Sequence, residues 1–272
     1  MFAEERQQQI AGLVAASGRA SVTDLAERFR ITTETVRRDL AALEAAGTVR
    51  RVHGGAVSAD RFSTTEESIL ERTVQRQSQK LRIAEAALAF LPQGPSSSIV
   101  LDAGSTTEVL ADILARRSAG PSAGKGAANE PDNQELVVIT HAVPIAAKLA
   151  STKGIALQLL GGRVRGLTQA AVGQSTVDAA CRLRPDIAFV GTNGIHASFG
   201  LSTPDPEEAA VKAAFVHSAR RIVVLADSSK LDAETLVQFA SLKDLDTVIT
   251  DSKPSRELAA ALADAGVEVV VA

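Results

Sequence analysis

The sequence is poor in the residues that mark secreted, metal-holding or membrane-spanning proteins. Its 272 residues include one cysteine, Cys181, which excludes an internal disulfide framework and any multi-cysteine zinc site. Cys181 lies in the apolar stretch VDAACRL and reads as a core residue, with no histidine nearby in sequence to activate it. Tryptophan and tyrosine are absent and aromatics are 3% of the chain, so a core must be built from Ala, Val, Leu and Ile. The four histidines, His53, His141, His196 and His217, are scattered without ligand spacing, and no metal site is expected. No apolar run reaches the ~18 residues of a membrane span. The opening MFAEERQQQI is acidic and polar where a signal peptide is basic and then apolar, which gives a cytoplasmic expectation.

A general excess of positive charge is also missing, since the net charge is −3. Residues 1–57, however, hold eight arginines against seven acids, and residues 28–51 hold six against three. The basic character is therefore a local patch, not a property of the whole chain. Three short helical patterns precede and span it. Ile10, Leu13 and Val14 form the first apolar stripe, ended by Ser17-Gly18. Ser21 can cap a second helix with Val22, Leu25, Ala26 and Phe29 inward. Arg30 and Ile31 make a tight turn, Thr32 caps a third helix with Val36, Leu40 and Leu43 inward, and Gly47 stops it.

Winding the third helix at ~100° per residue turns Glu34, Thr35, Arg38 and Ala42 away from the core, with Arg37 on the flank. Thr32 and Thr33 stand at the helix start, where free backbone N–H groups favour a phosphate. Hydroxyls and arginine at the leading end, with small residues behind, are what a helix needs to enter a DNA groove. Thr48–Val57 then reads as a hairpin with a Gly54-Gly55 turn, placing Arg50, Arg51 and His53 near a phosphate backbone. The plainer reading, a helical bundle with solvated arginines, does not account for the threonines, the Arg37-Arg38 pair and the basic hairpin together.

Residues 58–66 read as a linker, and a helical pattern from Glu67 to Leu91 places Leu70, Val74, Leu81, Ala84 and Leu88 on one side. Beyond it, short apolar runs at 98–102, 136–140, 155–160, 187–191, 222–227, 247–250 and 267–271 alternate with helical patterns. That alternation predicts a parallel sheet covered on both faces, with ligands at the carboxyl ends of its strands. Residues 116–134 are rich in Gly, Ala, Pro, Ser and Asn and read as a surface loop.

Several strand ends carry chemistry. Leu101-Asp102-Ala103-Gly104-Ser105-Thr106-Thr107 joins a strand to a helix start through a glycine and three hydroxyls, a cradle for an anion. Thr140-His141 follows the next strand. Gly161 and Gly162 open the backbone after a third, and Arg163 or Arg165 could pair with an anion there. Asp205, Glu208 and Lys212 gather at a later helix start, and Asp227 with Lys230 ends another strand. The expected ligand-binding set is therefore Asp102, Gly104, Ser105, Thr106, Thr107, Thr140, His141, Gly161, Gly162, Asp205, Glu208, Lys212 and Lys230. Hydroxyls and amides suit a phosphate, acids and lysines suit a polyol, and a phosphorylated sugar fits both.

The stretch ERQQQIAGLVAASGRASVTDLAERFRITTETVRRDLAALEAAGTVRRVHGGAV, above all TxxTVRRDL and RVHGGA, resembles the winged helix-turn-helix domain of the DeoR family of bacterial transcriptional regulators. The resemblance maps DNA contacts onto Thr32, Thr33, Thr35, Arg37 and Arg38, with Arg51 and His53 in the wing. LDAGSTT, LLGGRVR, DIAFVGTNGI, GLSTPDPEEAAVK and VVLADSSK follow in the order of that family's effector domain, itself similar to ribose-5-phosphate isomerase. After Thr140 the family usually has Asn, and this chain has His141. Two stretches, GLSTPDPEEAAVK and GGRVRGLTQAAVG, resemble actinobacterial members that act on fructose or related phosphotransferase sugars.

What the resemblance implies is a winged helix at 1–57, a linker and connecting helix start at 58–74, and a Rossmann-like parallel α/β effector and oligomerisation domain at 75–272. The implied partners are double-stranded operator DNA, a phosphorylated sugar and further copies of the chain, as dimer or tetramer. No cofactor and no membrane are expected. The alternative is a sugar-phosphate isomerase with an attached DNA-binding domain. In it Asp205 or Glu208 would move the proton, and Lys212 or Lys230 would stabilise an enediolate.

Overall fold

The computed structural model describes residues 3–17, 19–46, 48–52, 54–58, 66–92, 94, 97–119 and 135–272. The chain divides into two compact units, Met1–Thr65 and Glu66–Ala272, and no helix among the described residues is long and apolar enough to cross a membrane.

The first unit runs α1 (Ala3–Ser17), β1 (Arg19–Ser21), α2 (Val22–Phe29), α3 (Thr33–Ala45), β2 (Val49–Val52) and β3 (Gly55–Ser58). Ile10, Val14, Val22, Leu25, Ala26, Val36, Leu40, Leu43, Val49 and Ala56 are its buried core, and each large aliphatic contributes roughly 1.5–3 kcal/mol by leaving water. Ser21 caps α2 by accepting from the Asp24 amide at 3.0 Å, and Thr32 caps α3 by accepting from Thr35 at 3.2 Å. Between them Arg30 takes a left-handed conformation, φ 52°, which folds the chain sharply enough for a three-residue turn. Asp39 is buried on α3 and binds Arg6 Nε at 2.5 Å and Gln7 at 3.1 Å, tying α1 to α3.

Two features of this unit differ from the sequence reading. A third strand, β1, pairs with β3 in a sheet of order β1-β3-β2; at three residues it is too short to show a period. The hairpin does not turn on Gly54-Gly55, because Gly55 is already in β3, paired with Val52. Gly54 has φ +80°, whereas Gly55 lies in the strand, where a Cβ would sit 2.3 Å from the Ala20 carbonyl oxygen. The Ser17-Gly18 stop and the Gly47 stop rest on Gly18 and Gly47, which lie outside the described residues.

The second unit opens with α4 (Ile69–Val74) and α5 (Gln77–Ala87). It continues through β4 (Ser98–Leu101), α6 (Ser105–Ala119), β5 (Leu136–Thr140), α7 (Val143–Leu149), β6 (Ile155–Leu159), β7 (Arg163–Arg165), β8 (Ala170–Val172) and α8 (Gln174–Cys181). It ends with β9 (Ile187–Gly191), β10 (Gly194–His196), β11 (Gly200–Thr203), α9 (Pro206–Ser218), β12 (Ile222–Leu225), β13 (Val237–Ala240), β14 (Thr247–Thr250), α10 (Arg256–Asp264) and β15 (Glu268–Val271). The seven strands expected from the apolar runs form one parallel sheet of order β15-β14-β12-β9-β4-β5-β6. Alternate residues serve opposite layers: Val100, Val190 and Val224 pack in one cluster, Ile99, Leu101, Phe189 and Leu225 in the other. Burial on both faces explains why these strands read as continuous apolar runs. The chain order reverses at β4, with β5 and β6 on one side and β9 on the other, so the crevice beyond the ends of β4 and β9 is the natural ligand position.

Residues 67–91 do not form one helix with the expected stripe. Leu70, Val74 and Leu81 are 68%, 71% and 41% exposed, while Ile69, Ile83, Ala84 and Ala87 are buried. The chain breaks between α4 and α5 at Arg76, φ +49°, and the break resets the helical phase. Residues 116–119 of the expected loop belong to α6; residues 120–134, and 59–65 of the expected linker, lie outside the described residues. Cys181 is exposed, not core, because α8 turns Thr176 and Ala180 inward.

Candidate functional site

Two surfaces collect the chemistry-bearing residues, one in each unit. In the first unit a groove of about 440 Å³ is bounded by Val22, Thr23, Thr33, Arg37, Leu40, Arg51, Gly54 and Gly55. Its sides are the start of α2, one flank of α3 and the β2–β3 hairpin. Thr32, Thr33, Arg37, Arg38 and Arg51 are exposed. Thr35 is half-buried, and its hydroxyl meets that of Thr32 at 2.9 Å. Arg37 lies 3.6 Å from Glu34 across exposed helix surface, a pairing weak enough to give way to a phosphate. Of the expected set the groove is lined by Thr33, Arg37 and Arg51, with Thr23 beside them, while Thr32, Thr35 and Arg38 lie outside its lining. His53 lies outside the described residues.

In the second unit the ends of three sheet strands and parts of four helices line a cavity. Ala103 to Thr107 come from the β4–α6 connection, Gly191, Thr192 and Asn193 follow β9, and Leu225 to Asp227, Ser229 and Lys230 follow β12. Glu208 and Lys212 enter from α9, and Arg72, Gln75, Arg76 and Lys80 from α4 and α5. The cavity lies at the strand-order reversal. Its floor includes the start of α6, where unpaired backbone N–H groups and the positive end of the helix dipole favour an anion. Ser105 and Thr106 line it; the Thr107 hydroxyl instead donates back to the Asp102 carbonyl at 2.6 Å and serves the turn, not the cradle.

Beneath the floor lies Asp102, fully buried. One carboxylate oxygen accepts from Lys212 Nζ and from the Gly191 amide at 2.9 Å. The other lies 3.1 Å from His141 Nε2, and His141 Nδ1 donates to the Ala171 carbonyl at 2.8 Å. Burial pushes the Asp102 carboxyl up, but Lys212 and His141 outweigh it and hold the group below the usual carboxylate range. Lys212 also donates to the Gly191 carbonyl at 3.1 Å, so one buried ion pair clamps the ends of β4 and β9 to α9.

Glu208, four residues before Lys212 on α9, accepts from Thr168 and from Arg165 at 3.2 Å. Asp205 caps α9, accepting from the Glu207 and Glu208 amides, and pairs with Arg165 Nε at 3.0 Å. Asp227 caps the short turn at Ser228–Lys230. Burial pushes its carboxyl up, but Lys230, Ser229 and Arg76 together hold it below the usual range.

The structure therefore brings Gly104, Ser105, Thr106, Thr107, Glu208, Lys212 and Lys230 to one cavity, with Asp102 directly beneath. It does not bring Thr140, His141, Gly161, Gly162 or Asp205 to the lining. Thr140 bonds the Leu101 carbonyl at 2.7 Å inside the sheet, and His141 stands behind Asp102 with its ring edge on Phe215. Gly162 is required because a Cβ there would meet the Thr176 hydroxyl at 2.1 Å, a packing role. Arg163 pairs with Glu207 and Arg165 with Glu66, Asp205 and Glu208, so both answer protein carboxylates. Sequence reasoning missed Arg72, Arg76 and Lys80, because a straight connecting helix would not have turned them toward the strand ends. Their one signal was three cations within nine residues on the polar side of that helix.

The family described as DeoR C terminal sensor domain matches residues 75–252, and the DeoR-like helix-turn-helix domain matches residues 6–62. The chain is 33% identical over 253 residues to the "Uncharacterized HTH-type transcriptional regulator FruR" of Bacillus subtilis (strain 168), covering 93% of each. It is 27% identical over 260 residues to the "Glycerol-3-phosphate regulon repressor" of Escherichia coli (strain K12), covering 96% of this chain and 95% of that protein. Among solved structures, ribose 5-phosphate isomerase A from Methanocaldococcus jannaschii matches at 19% identity and TM-score 0.40, over 58% of this chain and 55% of that one. That last likeness is too distant to bear on chemistry.

Proposed function

The chain belongs to the DeoR family of transcriptional regulators, and from that premise we propose that it represses a sugar-catabolism or transport operon and is released from DNA by a phosphorylated sugar. The first unit binds the operator. We assign Thr32, Thr33, Thr35, Arg37 and Arg38 to a groove of the DNA and Arg51, with His53 on sequence grounds, to its phosphate backbone, Arg38 being the base-reading candidate. Winged helices read paired half-sites, so the working form is a homo-oligomer in the cytoplasm. The ligand acts through unequal affinity for the DNA-competent and DNA-incompetent states.

The observation that carries the ligand assignment is the cavity at the β4–β9 reversal, where the start of α6 with Ser105 and Thr106 faces the cations of α4, α5 and α9. Such a site suits a phosphate at the helix start and polyol hydroxyls against Glu208, Asn193 and Asp227. A relative named for glycerol 3-phosphate is in keeping with that class. The test is a thermal-shift screen of sugar phosphates beside the free sugars, followed by operator titration of the Ser105→Ala, Thr106→Ala double variant. A phosphorylated member alone should stabilise the protein, and the double variant should bind operator yet ignore the ligand. Equal stabilisation by free sugars, or a normal ligand response in the double variant, defeats the assignment.

Glu208 and Lys212 are also the pair that an isomerase would use, and both line the cavity. Their partners favour binding over turnover, since Lys212 is held by Asp102 and Gly191 and Glu208 by Arg165 and Thr168. We read the protein as a non-enzyme. Solvent deuterium entering a sugar phosphate incubated with it would overturn that reading.

A further inference from the structure

The cavity is walled on one side by the α4–α5 elbow, and this wall differs in kind from the others. The strand ends opposite are fixed by sheet hydrogen bonds. The elbow is tied to the rest of the unit by one backbone bond at its start, the Ile69 amide on the Leu167 carbonyl at 2.8 Å, and its bend by side chains: Lys80 donates its ammonium protons to the Arg72 carbonyl and, at 2.8 Å, to the Gln75 carbonyl. Those carbonyls end α4; Lys80, 3% exposed, reaches both, and the Arg72 carbonyl also accepts from the Gln75 amide at 3.3 Å. At the bend Arg76 occupies a left-handed conformation, φ +49°, that a side chain disfavours. It is braced by Ser228 at 3.4 Å and Asp227 at 3.7 Å. Arg72 meets Glu66 only at 3.6 Å, and Arg72 Nε and Glu66 Oε1 are buried without a hydrogen bond.

The pocket is open to solvent and holds about 40 Å³ of free space as it stands, so a sugar phosphate settling on its floor presses on the walls. The elbow is a wall that, unlike the strand ends, has no backbone ladder to the sheet. Its lysine holds backbone carbonyls with its ammonium, and a phosphate is the stronger acceptor. Moreover, α4 is the first helix after the segment that follows the DNA-binding unit.

We propose that Lys80 couples the cavity to the backbone of the elbow: an anionic ligand draws the Lys80 ammonium off the Arg72 and Gln75 carbonyls, and the end of α4 is loosened. This deepens the function proposed above and rests on that cavity binding a sugar phosphate. The ligand's gain at Lys80 then appears as a change in the one helix pair that the chain enters on leaving the first unit. That gives the differential interaction that a ligand-driven transition requires.

Hydrogen–deuterium exchange on the full chain, with fructose 1-phosphate, fructose 6-phosphate and glycerol 3-phosphate in turn, separates the two claims. Any probe that slows exchange at residues 105–109 should speed exchange at 73–78 by at least about threefold. If a probe slows 105–109 while 73–78 stay unchanged or slow as well, the coupling is wrong and the cavity assignment stands. If none of the three slows 105–109, both fall. Lys80→Met supplies the second readout: exchange at 73–78 should be fast without ligand, and operator affinity as low as that of the ligand-saturated wild type. A Lys80→Met protein with protected 73–78 amides, or with the wild-type ratio of operator affinities with and without ligand, also overturns the coupling.

Discussion

Replacing Lys212 by Met keeps the length of the side chain and removes the charge that answers Asp102. In the native protein Asp102 is fully buried and Lys212 is 3% exposed, so neither ion can regain water when its partner is lost. Removing one member of such a pair costs about 3–5 kcal/mol, because the remaining charge stays buried. Here the Gly191 amide and His141 still face the Asp102 carboxylate, which puts the expectation at the lower end, about 3 kcal/mol. For a unit of this size that corresponds to a fall in Tm of roughly 6–12 °C, read by calorimetry on the transition of the second unit. The Asp102→Asn, Lys212→Met double variant should recover at least about half of the loss, since the stranded charge is gone. The pH dependence has a definite sign. The folded Asp102 is held below its ordinary value, so its contribution is complete above the unfolded value of about 4 and is lost as pH falls through the folded one. The gap between wild type and double variant should therefore shrink in acid. A single variant within about 1 kcal/mol of wild type, with no recovery in the double variant, would refute the reading of Asp102 as a committed charge.

Three other outcomes follow from the geometry. Arg38→Ala should weaken operator binding by about 1–3 kcal/mol in a gel-shift titration at fixed salt, and an unchanged affinity removes Arg38 from the interface. Gly55→Ala puts a Cβ against the Ala20 carbonyl oxygen, at 2.3 Å before any shift; it should cost the first unit about 1–3 kcal/mol and weaken operator binding through the displaced hairpin, and wild-type unfolding of that unit would contradict it. Burial pulls Lys80 down to about 8, partly offset by Asp227, with Lys230, Arg72 and Glu67 the other charges acting on it. A phosphate favours the ammonium form, so sugar-phosphate affinity should fall by up to about tenfold per pH unit above pH 8 in calorimetry, while the unliganded protein grows more stable between about pH 8 and 10.5; equal affinity at about pH 7 and 9.5 contradicts this.

The main sheet was legible because its central strands are buried on both faces, and an apolar run such as Ile99-Val100-Leu101 advertises that condition without any tertiary information. The α2–turn–α3 arrangement was legible for a similar reason: Ser21 and Thr32 act on amides three residues away, within the reach of local sequence. Short strands were not. β1 exists because Gly55 lets the Ala20 backbone approach, and the short β10–β11 hairpin joins β13 some 35 residues further on. Thr107 and His141 were placed in the right region but given the wrong task. Their residue types announce hydrogen bonding, yet only the fold decides whether the partner is a ligand or the Asp102 carbonyl and carboxylate.

The elbow shows the same limit with a larger consequence. A helical wheel drawn from Glu67 to Leu91 assumes one phase, and the assumption gives Leu70, Val74 and Leu81 a buried side that they do not have. No glycine or proline marks the break. Arg76 takes the left-handed conformation because Asp227 and Ser228 brace it, residues some 150 positions away that come together only through the sheet. The three cations that face the cavity from α4 and α5 do so because of that break. A site whose phosphate cradle is written locally in LDAGSTT thus owes its countercharge to a conformation that no local pattern encodes. Substitutions that straighten the elbow should therefore abolish ligand response without touching any residue of the cradle.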